Sequence, residues 1–138
     1  MDIKKLVLTA EALNLIDNGT WIGDLPGAPG VEFLVVGMRS TEVRKALEAE
    51  QLAVRADNAG SPLTAEQTAG CMERVLASHV LKDWKGLTDN GVEVPYSKEL
   101  ATKWLTSREG EKFAELVLLA VNRLDRNAND FVEVAAKN

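Results

Sequence analysis

From Ser40 onward the apolar residues of this chain recur at helical spacing, and before position 38 they do not. That single change of period limits the fold more than any other feature. A stripe repeating every three or four residues must be buried on one side of a helix, whereas a β-branched run between Gly and Pro residues folds as strands and turns. The fold class expected is therefore α+β, mainly α: a small N-terminal hairpin or meander over residues 1–38, then about four helices over 39–138. The 138 residues are the size of one ordinary domain, and that is the organisation expected.

In the first part, Thr20–Ile22 and Val31–Val36 read as two strands around the loop Gly23–Gly30. Leu13–Ile16 reads either as a third strand or as the end of a short helix capped by Thr9 and closed by Gly19. A lone hairpin is marginal, so this one must pack on the helices or on another chain.

In the second part, Ser40 is a good N-cap with Glu42 in the first turn. Val43, Ala46, Leu47 and Val54 form the stripe of that helix, which Asn58–Pro62 ends. Thr64-Ala65-Glu66-Gln67 is a capping box. Met72, Leu76, Val80 and Trp84 follow it every four residues, predicting one helix that runs to Trp84, with Gly86 as its C-terminal cap. Ser97 opens a third helix carrying Leu100, Ala101, Trp104 and Leu105. Thr106-Ser107-Arg108-Glu109 reads as a second capping box and opens the fourth. There Leu118 and Leu119 widen the stripe of Phe113, Leu116, Val117, Ala120, Val121 and Leu124, predicting the most buried helix. Phe131, Val132 and Val134 resume the pattern near the end.

Composition and spacing argue against several classes of function. The net charge of −5 disfavours nucleic-acid binding, and no basic cluster is longer than the pairs Lys4-Lys5 and Arg44-Lys45. No apolar run approaches the ~20 residues of a membrane span, and Met1–Lys5 does not open a signal peptide. Cys71 is single, so it forms no intrachain disulfide and fits a reducing compartment. His79 is the one histidine and has no Cys or second His at ligand spacing. The Gly23–Gly30 loop leads into a strand and lacks the Gly-Lys-Ser/Thr ending of a phosphate loop. Asp89-Asn90-Gly91 misses the first and last carboxylates of a calcium loop and reads as a turn. Neither an enzyme nor a cofactor site is expected.

Residues 80–105 carry the most information. Trp84, Tyr96 and Trp104 read as a staple across a helix–turn–helix connection, with Val92 and Val94 in an extended arm that Pro95 enforces. The run Val-Leu-x-Asp83-Trp84-x-Gly86-Leu87, a turn at Gly91, then Val-Pro95-Tyr96-Ser97-x-Glu-Leu-Ala resembles the tail assembly chaperones of long-tailed bacteriophages and prophages. The front end is similar too: a Gly-Thr-Trp-Ile strand, an apolar strand ending in Gly37, and Ser40-x-Glu42 opening a helix. The resemblance implies a protein that binds the tape measure protein, keeps it soluble, and is released in the bacterial cytoplasm without entering the mature virion. It also implies a longer form, made by a −1 ribosomal shift, that recruits tail-tube protein; Ala136-Lys137-Asn138 can be spelled GCA-AAA-AAC, which contains a slippery sequence. Val43, Leu47 and Phe131 are the candidate partner-binding residues, and the hairpin edge could support self-association. A virion structural component, such as a small tail or head–tail adaptor protein, is the alternative.

Overall fold

The computed structural model describes residues 1–137. Asn138, the last residue of the proposed slippage site, lies outside the described residues. The fold is α+β and mainly α. Among the described residues, in chain order, the elements are α1 (Ala10–Asn18), β1 (Thr20–Ile22), β2 (Glu32–Val35), α2 (Thr41–Asp57), α3 (Ala65–Val75), β3 (Leu81–Lys85), β4 (Thr88–Asp89), β5 (Val92–Glu93), α4 (Lys98–Leu105) and α5 (Glu111–Lys137). Short 3-10 turns cover Ile3–Lys5 and Arg108–Gly110.

The helix starts follow from local chemistry. Thr9 Oγ1 accepts from Ala12 N at 3.1 Å, Ser40 Oγ from Val43 N at 3.2 Å, and Ser97 Oγ from Leu100 N at 3.3 Å. Each satisfies a donor that a helix start otherwise leaves unpaired. Residues 10–18 are thus helix, capped by Thr9 and closed by Gly19 at φ 91°. The Thr64–Gln67 capping box forms in full. Gln67 also exchanges two amide hydrogen bonds with Asn58, at 2.7 and 2.9 Å, which lock the end of α2 to the start of α3.

Two helix expectations are corrected. The helix starting at Thr64 does not reach Trp84: α3 ends at Val75, a π-turn covers Leu76–Val80, and Leu81–Lys85 is a strand. β3 pairs antiparallel with β2, giving the sheet order β1-β2-β3. The hairpin leaves the second edge of β2 with open hydrogen bonds, and pairing that edge outweighs a four-residue period. The pairing places Phe33 opposite Trp84 and Val35 opposite Leu81, with a register shift that leaves Lys82 unmatched. Gly86 therefore follows a strand and caps no helix. The capping box expected at Thr106–Glu109 is also absent. The hydroxyl of that box, Thr106 Oγ1, donates back to the Thr102 carbonyl; Ser107 Oγ caps nothing, Arg108–Gly110 is a 3-10 turn, and α5 starts at Glu111. Gly110 lies directly on the Trp104 backbone, where an added Cβ would come 2.0 Å from the Trp104 carbonyl oxygen, so the chain tightens there.

The core lies between the sheet and α5. Phe33, Val35, Leu81 and Trp84 of the sheet share one buried cluster with Val117, Val121 and Leu124 of α5, Ile16 of α1 and Val80. α5 continues through the Asn127 region, where the backbone leaves helical geometry (φ −123°, ψ 28°). Two residues before that kink, the Asp125 carboxylate accepts from Met38 N at 3.0 Å and Arg39 N at 3.3 Å, tying α5 to the loop before α2.

Burial raises the Asp125 pKa above its ordinary 3.8, against the two backbone N–H groups and the charges of Arg39 and Arg44, which lower it. A raised folded pKa means that the native state binds the proton more tightly than the unfolded chain. Stability is then expected to fall as pH rises from the ordinary aspartate range through the folded pKa. Asp125→Asn should flatten that part of the profile, as read by urea unfolding between about pH 4 and 7. An unchanged slope would assign the dependence to other groups.

Candidate functional site

The residues of the 80–105 segment form one aromatic cluster. Trp84 stacks on Trp104 at 5.5 Å and 27°, and meets Tyr96 edge-on at 5.0 Å and Phe113 at 5.8 Å. Its Nε1 donates to the Val94 carbonyl at 2.8 Å, so the indole satisfies its one polar atom while staying 4% exposed. Asp83 Oδ1 accepts from Trp84 N at 2.8 Å. Leu87 is partly buried, and its carbonyl accepts from Val94 N at 2.8 Å, holding the β4–β5 hairpin against the cluster. Asn90 and Gly91 form the hairpin turn with φ 50° and 80°. Pro95 is exposed and Ser97 caps α4. The motif residues are therefore brought together as a structural staple, which anchors α4 and the start of α5 on the sheet.

What the staple positions is a groove of about 500 Å³ between α3 and α5, beside the α4–α5 turn. One wall carries Ala69, Met72, Glu73 and Leu76 and the other Glu111, Ala114 and Leu118. Each wall follows a three-, four- or seven-residue spacing, so each presents a ridge of one helix face to the opening. Met72 and Ala114 are partly buried, and Leu118 is 36% exposed. Ser107 closes one end, and its buried Oγ has no hydrogen-bond partner among the described residues.

The expected partner-binding residues lie elsewhere. Val43 is fully buried, and so contributes to the core and presents no surface. Leu47 and Phe131 are partly buried and pack on that core. None of the three lines this groove. Leu118, expected to be buried, is instead at the groove's edge. The sequence did carry a signal for this: the Leu118-Leu119 pair makes the apolar stripe of α5 wider than one core contact needs.

The titratable residues considered for chemistry are dispersed. Cys71 is fully buried. His79 Nδ1 lies 3.8 Å from a Glu42 carboxylate oxygen that also accepts from Lys82 Nζ at 2.9 Å. The Lys82 hydrogen bond holds Glu42 below its ordinary pKa, and these exposed pairs contribute little to stability. Among the described residues, no group of three His, Cys, Asp or Glu side chains is placed to hold a metal ion, and no helix is long and apolar enough to cross a membrane.

A family model described as YdaY prophage protein matches residues 38–138. No curated protein and no solved structure matches the chain.

Proposed function

The chain belongs to the YdaY prophage protein family, and from that premise we propose that it is a tail assembly chaperone that binds the tape measure protein and keeps it soluble. The α3–α5 groove is the observation that carries this reading. It falls wholly within the span that the family model matches, and its two ridged walls are the complement of an amphipathic helix. A long helical protein with exposed apolar stripes is an aggregation hazard until its assembly partners cover it. A helix laid between Met72 and Leu118 would bury such a stripe. The resemblance over Val80–Leu105 supplies the identity of the client, and tail-tube recruitment by a longer form belongs to the same proposal.

Co-expression with the tape measure protein encoded in the same prophage tests the reading. The wild-type chain is expected to move most of the tape measure protein into the soluble fraction. Met72→Glu with Ala114→Glu puts two charges on the groove floor and should abolish that effect, because each carboxylate would have to be desolvated. Equal tape measure solubility with and without the wild-type chain would refute the chaperone role. Stoichiometric amounts of the chain in purified virions would favour a structural component instead.

A further inference from the structure

A second groove, of about 700 Å³, lies farther along α5, between α1 and the segment that precedes it. The segment is tied down by Asn129. Its Nδ2 donates to the Lys4 and Val7 carbonyls at 3.0 and 3.2 Å, and its Oδ1 accepts from Thr9 N and Oγ1 at 3.1 and 3.2 Å. Yet the apolar side chains held there are not buried: Leu6 is 71% exposed, Val7 56% and Leu13 49%. Ordering a backbone while leaving its apolar groups in water sacrifices entropy without gaining burial. The rim adds a second signal. Lys4, Lys5, Arg39 and Arg126 all line the groove, and none makes an ion pair among the described residues. Of the two carboxylates present, Asp125 is engaged with the Met38 and Arg39 backbone, leaving Asp130. Four cations thus gather beside the exposed Leu6, Val7 and Leu13 in a chain whose net charge is −5.

We propose that this groove docks an amphipathic helix of another protein whose apolar stripe is flanked by Asp and Glu. Those apolar side chains take the stripe, and the cations pair with the flanking carboxylates, which favours this partner over neutral or basic ones. The entering segment must satisfy its own backbone, because the Asn129 carboxamide is already taken by the chain itself and the groove is lined by helices and a turn, with no strand to pair with. A helix meets that demand. A membrane surface is a poorer fit, because the site is concave and a bilayer surface is broad and flat. This surface is separate from the α3–α5 groove and holds whatever the identity of the protein bound there.

The test uses two fluorescent synthetic peptides of about 20 residues with the same leucine stripe at helical spacing, one flanked by Glu and one by Lys. By anisotropy, the Glu peptide is expected to bind the full chain at least about tenfold more tightly than the Lys peptide, and to weaken as salt is raised. Lys4→Glu with Lys5→Glu should reverse the preference. Leu6→Ser with Val7→Ser should weaken the Glu peptide by at least about tenfold, while Leu52→Ser, at an exposed apolar residue of α2 outside both grooves, leaves it unchanged. The four altered side chains at positions 4 to 7 are exposed, so circular dichroism and urea midpoints should match wild type. Equal affinity for the two peptides, or indifference to Leu6→Ser with Val7→Ser, would overturn the proposal. So would a dimer in sedimentation that Lys4→Glu with Lys5→Glu dissociates, since the occupant would then be a second copy. Tighter binding to phosphatidylglycerol vesicles than to the Glu peptide would assign the surface to lipid. Failure in tape measure co-expression would leave these peptide results standing, and the reverse also holds.

Discussion

Replacing Trp84 with alanine is expected to lower the unfolding free energy by about 3–5 kcal/mol. The indole is 4% exposed and touches three other aromatic rings. Its removal opens a cavity that those rings, held from separate elements, can only partly fill. Trp84→Phe keeps most of the buried area but leaves the Val94 carbonyl without its donor, so about 1–2 kcal/mol is expected. Trp21 is the control. It lies on edge strand β1 with Lys85 Nζ 3.9 Å above its ring, and Trp21→Ala should cost only about 1 kcal/mol. Urea unfolding of the three variants decides the matter. A Trp84→Ala loss no larger than that of Trp21→Ala would mean that the aromatic staple does not hold the fold.

Gly86→Ala should be comparably severe, at about 3 kcal/mol or more, for a different reason. Gly86 has φ 81°, where a side chain is strained by about 1–2 kcal/mol. An added Cβ would also stand 2.1 Å from the Gly30 carbonyl oxygen and 3.2 Å from the Val31 Cα, both backbone atoms. The loop before β2 would have to move away from the end of β3. Gly91 separates the two causes. Its φ is 80°, but nothing lies within 4 Å of an added Cβ, so Gly91→Ala should show the conformational strain alone. Similar denaturation midpoints for the two variants would remove the steric part of the argument.

The parts of the fold that depend on nearest neighbours were legible in the sequence. Ser40, Ser97 and the Thr64–Gln67 box each announce a helix start through hydrogen bonds made within three residues, and the structure has them. β3 was not legible. Val80 and Trp84 satisfy a helical period, and the partner that draws Leu81–Lys85 into a sheet is β2, far off in sequence. Ser107 shows the converse failure: a good local cap motif was overridden where Gly110 closes onto Trp104. The aromatic residues of the 80–105 segment were singled out correctly as a staple, since large rings near one turn tend to meet. The groove could not be located the same way. Whether Met72 or Leu118 faces the core or an opening depends on where α3 and α5 stand, and that is fixed by α4 and the sheet rather than by either helix's own pattern. The burial of Val43 in the core depends on the same placement.

The late position of β3 also sets an order of events at the ribosome. β2 is complete as soon as Val35 is made, but its second edge has no partner until Leu81–Lys85 emerges, after the whole of α2 and α3. At bacterial elongation speeds that delay is roughly 2–9 s, far longer than the microseconds in which a hairpin forms. During it, the growing chain carries a half-finished sheet whose apolar face still awaits α5. Native closure is therefore a post-hairpin, long-range step, and the interval before it is when this protein itself is most exposed to the sticking that unpaired strand edges invite.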